Sequence, residues 1–289
     1  MKTNAHDSRK AKVTLTLSRI AVYIILILLS ILCLFSFYML AINATRSNSD
    51  LQAGFTLFPG DHLIDNLVNA WNDASISIPR GMLNSFIVAA ISSVLTTYFS
   101  TLTAYGLHAY DFKLKKAAFT FIMAVMVIPS QVSAVGFYQM CVKLGWTNSY
   151  IPLVVPAIAA PVVFFYMKQY MESVLPMEIV DAARVDGSGE FRTFNTIILP
   201  MMKPAVAVQM IFSFVGSWNN YFMPALLLDK AELKTVPLMI AQLRSADYSK
   251  FDMGKVYMFI LLAILPVVIV YMALSKYIIK GVTAGSVKG

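Results

Sequence analysis

Polar and charged positions along this chain are gathered into short stretches, and long apolar segments run between them. Crossing roughly 30 Å of hydrocarbon takes about 20 apolar residues in a helix. Six segments meet that length: 20–42, 83–107, 117–140, 149–167, 205–228 and 256–275. None contains Asp, Glu, Lys or Arg. In lipid a backbone must satisfy its own polar groups, so each segment reads as a helix. The pattern predicts an all-α integral membrane protein with six transmembrane helices over 20–280, between tails at 1–19 and 281–289. The first run follows a basic tail, as a signal peptide does. It is too long for one and no small-residue cleavage site follows, so it reads as a retained span.

Composition agrees with this reading. Charged residues make up 13% of the chain, about half the share in a soluble domain, and the mean hydropathy is +0.69. The net charge of +8 is spread beside the apolar runs and forms no single patch. That distribution argues for membrane lipid and against nucleic acid as a partner. Of the 23 basic residues, 15 lie in the two tails and in the loops after the second and fourth spans. Basic loops stay inside, which predicts cytoplasmic termini and a cytoplasmic loop at 172–200, between spans four and five. The fifth loop, 229–255, has five basic residues, but it is long and carries four acidic ones, so it counts little. Cys33 and Cys141 show no pairing pattern, and His6, His62 and His108 lie too far apart in sequence to suggest a metal site.

Spans without ionisable groups argue against a proton pump, which needs them at mid-membrane. Sodium held by unwound backbone carbonyls stays open. The chain carries no G-x-x-x-x-G-K-[ST] phosphate loop. Uphill transport would therefore draw its energy from another protein.

One polar stretch stands out, DAARVDGSGEFRTFNTIILP at 181–200. Pro176 suits a helix start, Glu178 and Asp181 suit its positive end, and Gly187 suits its stop. A second short helix is expected from Glu190 to just before Pro200. Ala182 and Ala183 allow a close neighbour, and Phe191, Phe194, Ile197 and Ile198 offer an apolar seat against the span ends. On these local features alone, an ordinary loop with a helix-turn fits equally well.

The spacing resembles the signature loop of ATP-binding-cassette importer permeases, E-A-A-x-x-x-G, nine residues, then I-x-L-P. Asp181, Ala182, Ala183, Gly187, Ile197, Leu199 and Pro200 occupy those positions, with Asp181 replacing the usual Glu. The resemblance implies that Glu178, Asp181, Ala182, Ala183, Asp186, Gly187, Ile197, Leu199 and Pro200 form a coupling helix docked on a separate ATPase. It also implies a second homologous permease, two ATPase subunits that hold ATP and Mg²⁺, and an extracytoplasmic sugar-binding protein, in a bacterial cytoplasmic membrane. This chain itself would bind no cofactor and catalyse nothing. The tail GVTAGSVKG resembles that of the second permease of maltose-type importers, so Gly281, Gly285, Lys288 and Gly289 are implied to reach the ATPases. NSFIVAA at 84–90, VIPSQV at 127–132 and SWNNYFMP at 217–224 resemble the same carbohydrate branch.

Polar side chains in apolar helices should face another helix or a water-filled path. Ser213, Ser217, Trp218, Asn219, Asn220 and Tyr221 in span five, with Gln131 in span three, are therefore candidates for a substrate path. Helix-to-helix glue is the competing role. In the fifth loop, Arg244, Asp247, Tyr248 and Phe251 are candidate contacts for a binding protein. The stretch FTLFPGDHLIDNLVNAW at 55–71 suits a short amphipathic helix lying on the membrane. The expected function is uptake of a sugar or oligosaccharide. A non-sugar cargo such as glycerol-phosphate, and an ion-driven carrier or channel, remain as alternatives.

Overall fold

The computed structural model describes residues 3–73, 76–245 and 252–286. Every regular element among them is helical. In order these are α1 (Thr3–Ala44), α2 (Asn48–Ala53), α3 (Leu63–Trp71), α4 (Ile78–Ala109), α5 (Lys115–Met126) and α6 (Ser130–Lys143). Next come α7 (Ile151–Val154), a 3-10 turn (Val155–Ile158), α8 (Pro161–Val174), α9 (Met177–Val185) and α10 (Glu190–Thr193). A π turn (Phe194–Ile198) leads into α11 (Leu199–Met201), α12 (Lys203–Trp218) and α13 (Phe222–Leu227). A 3-10 turn (Ala231–Leu233), α14 (Val236–Ser245) and α15 (Met253–Ser286) complete the list.

Four helices are long and apolar enough to cross a membrane: Ser18–Ala44, Ile78–Ala109, Ile151–Val174 and Met253–Ala273. Two bent pairs raise the number to six if each crosses once. The third apolar run, expected as one helix, breaks between Met126 and Gln131 with a bend of 100°. Pro129 lies at that break, and proline both lacks an N–H and pushes its predecessor out of the helical region. The fifth run is also corrected. Its helix stops at Trp218, and residues 219–221 interrupt it. The Asn220 Oδ1 there accepts from the Met223 N–H at 3.3 Å, which starts α13 instead of continuing α12.

The chain forms two compact units. The first comprises Met1–Ala70 and Ser249–Leu261. In it the buried Asn66 donates Nδ2 to the carbonyls of Ala44 and Arg46, each at 2.9 Å, and so caps the end of α1. The short helix expected in this stretch is α3, which buries Asn66 and Ala70 and exposes Ile64 and Val68.

The second unit comprises Trp71–Tyr248 and Leu262–Gly289, and α4 is its spine. This helix packs chiefly against α12 and α8. Its packed face is a ladder of small hydroxyls, with Ser92, Ser93, Thr96, Thr97, Ser100 and Thr101 all buried. Small residues let helices approach closely in lipid. Several hydroxyls bond back onto their own helix, such as Thr97 Oγ1 to Ser93 O at 2.7 Å. Thr96 instead donates to Ala157 O at 2.9 Å. The Ala157 carbonyl lies in the 3-10 turn just before the non-helical residues 159–160 that separate it from α8. At the N-terminal end of α4, Asn84 donates to the carbonyls of Glu232 and Lys234 at 2.9 and 3.0 Å. Ser85 Oγ accepts from the Val236 N–H at 2.8 Å, which fixes the start of α14.

Candidate functional site

The loop after α8 is built around a short, firmly stopped helix. Pro176 precedes α9 in an extended conformation, and Glu178 lies in the first turn. The stop is a Schellman motif. Gly187 has φ +73°, its N–H bonds Arg184 O at 3.0 Å, and the Ser188 N–H bonds Ala183 O at 2.9 Å. Glycine adopts that left-handed conformation without steric cost. α9 buries Val180 and Ala183 and exposes Glu178, Asp181, Ala182, Val185 and Asp186, with Val185 87% exposed.

The second helical piece does not end before Pro200 as expected. It runs through a π turn, in which the Leu199 N–H reaches back to Phe194 O, and continues to Met201. The wider turn accommodates Pro200, which can neither donate nor tolerate a tight contact with the preceding turn. The apolar seat is also redrawn. Phe194 and Ile198 are fully buried and Ile197 and Leu199 pack against the same core, but Phe191 is 69% exposed. The core they enter includes Tyr105, Met167, Met171 and Met202.

One side chain ties the loop to the spine. Arg184 Nε donates to Glu190 Oε1 at 2.8 Å and Nη1 to Asp181 Oδ1 at 3.1 Å. Nη2 reaches Ala109 O, the last carbonyl of α4, at 3.3 Å. Its guanidinium also lies over the Tyr110 ring, 5.4 Å from the centroid. The Tyr105 hydroxyl completes the cluster by donating to Glu190 Oε2 at 2.9 Å. Hydrogen bonds from Tyr110, then from Arg184 and Tyr105, hold the Glu190 carboxyl below the usual range despite its partial desolvation. Asp181, shorter than the usual Glu, still reaches Arg184. Sequence reasoning missed Arg184, Glu190, Tyr105 and Tyr110. The available signal was the scarcity of charge. Where few residues are ionic, an Arg and a Glu six apart in a polar loop should be expected to pair.

A cavity of about 510 Å³ lies farther along α4. Ser92 and Thr96 of α4, Ser133 of α6, Ser213 and Ser217 of α12, and Asn220 contribute its polar lining, and among the described residues no ionisable one lines it. Of the expected path residues, Ser213, Ser217 and Asn220 are therefore brought together. Trp218 is not among them. It is 3% exposed, donates Nε1 to Ala263 O at 3.2 Å, and stacks on Phe214, so it is a packing residue. Gln131, Asn219 and Tyr221 are exposed and lie outside the lining. Ser92, Thr96 and Ser133 were missed, although the hydroxyl run on α4 was visible in the sequence.

Other expected site residues lie in the last helix or beyond the described residues. Gly281 and Gly285 belong to the backbone of α15, and Lys288 and Gly289 fall outside the described residues. Arg244 is in the last turn of α14, whereas Asp247, Tyr248 and Phe251 fall outside the described residues.

Residues 97–284 match the family described as "Binding-protein-dependent transport system inner membrane component". The arabinooligosaccharides transport system permease protein AraQ of Bacillus subtilis is 34% identical, covering 94% of this chain and 96% of its own. The sn-glycerol-3-phosphate transport system permease protein UgpE of Yersinia pestis is 30% identical, covering 90% and 94%. Among solved structures, a bacterial ABC transporter involved in alginate import superposes with a TM-score of 0.79 at 19% identity, covering 91% of this chain and 97% of that one.

Proposed function

This chain belongs to the inner-membrane components of binding-protein-dependent transport systems, and from that premise we propose that it is one half of the path for an uncharged sugar or oligosaccharide. As a permease of an ATP-binding-cassette importer it is a multi-pass transport component, not a catalyst. ATP and Mg²⁺ belong to the ATPase of such systems, and a binding protein supplies the solute.

The observation that carries the reading is α9. It is bolted to the end of α4 by Arg184, yet it turns Glu178, Asp181, Ala182 and Val185 outward. A short helix is marginal alone in water and needs such an anchor to transmit a push. We place this loop on the cytoplasmic side with both termini, docked on one of two ATPase subunits. The spans number six, counting each bent pair as one crossing. A second, homologous permease completes the tunnel. Arg244, Asp247, Tyr248 and Phe251 are the proposed contacts for the binding protein, and Gly281, Gly285, Lys288 and Gly289 those for the ATPases.

Closure of the ATPase dimer displaces α9, and α4 carries the displacement to the cavity wall. Thr96 and Ser92 lie nine and thirteen residues from Tyr105, about 14 and 20 Å along the helix axis. The cargo class rests on the cavity. The two relatives named above have uncharged and anionic cargoes, and their identities to this chain are too close to choose between them. A phosphate would need a cation to replace its hydration. The cavity offers hydroxyls and an amide, which suit a polyol, and no cation. ATP-dependent uptake by the co-purified complex in proteoliposomes tests the proposal. Accumulation of a neutral oligosaccharide over glycerol-3-phosphate is expected, and the reverse preference overturns the cargo. Uptake by this chain alone without ATP overturns the whole reading.

A further inference from the structure

At the end of the spans that carries the loop, a second cavity of about 450 Å³ opens where the end of α4, the start of α5 and the last turns of α8 meet. Its charged lining is four lysines, Lys113, Lys115, Lys116 and Lys168, against one carboxylate, Glu172. Two of these charges are answered. Lys168 pairs with Glu172, which also accepts from Gln169 Nε2 at 3.3 Å, and Lys115 pairs with Asp111 at 2.9 Å. Among the described residues, Lys113 and Lys116 have no counter-ion.

Depth says what would answer them. The Lys168 side chain is only 12% exposed. It sits six residues before the end of α8, about 9 Å inside it. A lysine at that level is one whose ammonium reaches for the polar boundary of the membrane. The other walls are apolar, formed by Leu107, Phe112 and Phe119, the last packed on Phe164 with ring centroids 6.3 Å apart. A positive rim on a greasy floor at this boundary complements a phosphate joined to hydrocarbon. Lysines act as point-charge donors to phosphate oxygens, and basic pockets between spans take anionic headgroups.

We propose that this cavity binds the phosphate of an anionic phospholipid, with Lys113, Lys115 and Lys116 as donors and Phe112 and Phe119 against the lipid's glycerol and first methylenes. Free phosphate shares the headgroup chemistry but would leave the apolar walls uncovered. The site is separate from the solute cavity. It joins the ends of α4 and α8 beside the anchorage of α9.

The test is native mass spectrometry of the full-length protein with its co-purifying partners, taken from bilayers of phosphatidylcholine containing a minor fraction of phosphatidylglycerol. The protein is expected to retain phosphatidylglycerol over phosphatidylcholine. The double variant Lys113→Gln/Lys116→Gln should retain about tenfold less. Lys113→Arg/Lys116→Arg should retain it, and Lys230→Gln, in the fifth loop, should change nothing. Equal retention in the wild type and the glutamine variant overturns the site. If that variant fails to assemble, equal retention of the two lipids by the wild type overturns it. Displacement by millimolar inorganic phosphate as readily as by added phosphatidylglycerol assigns the site to a free anion and overturns the lipid.

Discussion

The loop cluster and the solute cavity both use α4, yet they are built to opposite rules. Around Arg184 polar groups find partners inside the protein: two carboxylates, a helix-end carbonyl and an aromatic face. Around the cavity the lining is uncharged, and its polar groups are the hydroxyls of Ser92, Thr96, Ser133, Ser213 and Ser217 with the Asn220 amide. A joint that must transmit force gains from satisfied, geometrically fixed contacts. A surface that must hold and release a solute gains from donors and acceptors left open for it. On the proposed function the difference separates a transmission site from a reception site on one helix, and changes at the two ends should fail differently.

The largest effect is expected at the joint's packing. Ala183 is buried in α9, so Ala183→Trp has no room for an indole and shifts the helix from its seat. Uptake should fall at least about a hundredfold, since a misplacement of about 1 Å in a coupled site is that costly. Quantitative blotting of the membrane fraction should show the chain still inserted, because the spans are untouched. Normal uptake with the ATPase bound would mean that α9 is no lever. Arg184→Met comes next. The pair it forms with Glu190 is partly exposed and screened by solvent, so a smaller loss than at Ala183 is expected. A double-mutant cycle with Glu190→Gln, read as the ratio of solute moved to ATP hydrolysed, should show the double variant losing less than the two single losses combined. Additive losses would show that the two side chains act independently. Neither change should alter the apparent affinity for solute.

How much of this was legible beforehand follows from which physics acts locally. The apolar runs and the Gly187 stop could be read because lipid crossing and left-handed backbone leave residue-level marks. The break after Trp218 was not legible, since Asn220 fits a helix interior as well as a cap until its side chain is seen bonding the Met223 N–H. Phe191 and Phe194 are the same residue type three positions apart, and only tertiary packing decides that one is buried and the other exposed. The Arg184 cluster joins Tyr105, Ala109 and Tyr110 to Asp181 and Glu190, across a sequence gap that periodicity does not bridge. The hydroxyls on α4 were visible as a run, but their division between packing and cavity depends on which carbonyls of neighbouring elements come within reach, as Ala157 O does for Thr96.

At the reception end, Ser213→Ala with Ser217→Ala should raise the solute KM by roughly tenfold, as two neutral hydrogen bonds of about 0.5–1.5 kcal/mol each would. The ratio of transport to hydrolysis should stay unchanged. Loss of that ratio with KM unaltered would move these serines from the solute to the gate.

The smallest expected effect is the pH dependence of the joint. Glu190 has its carboxyl lowered in the folded protein, first by the Tyr110 hydrogen bond. A depressed carboxylate contributes stability that is fully present above its unfolded value, about 4.3, and is lost as pH falls through the lower folded one. The melting temperatures of the purified wild type and of Glu190→Gln should therefore differ by a constant amount from neutral pH down to about pH 5. Below that the two curves should converge, because acid neutralises the carboxylate that the variant already lacks. Convergence beginning near neutrality would mean that Glu190 is raised rather than lowered, and that burial outweighs Tyr110, Arg184 and Tyr105 at this joint.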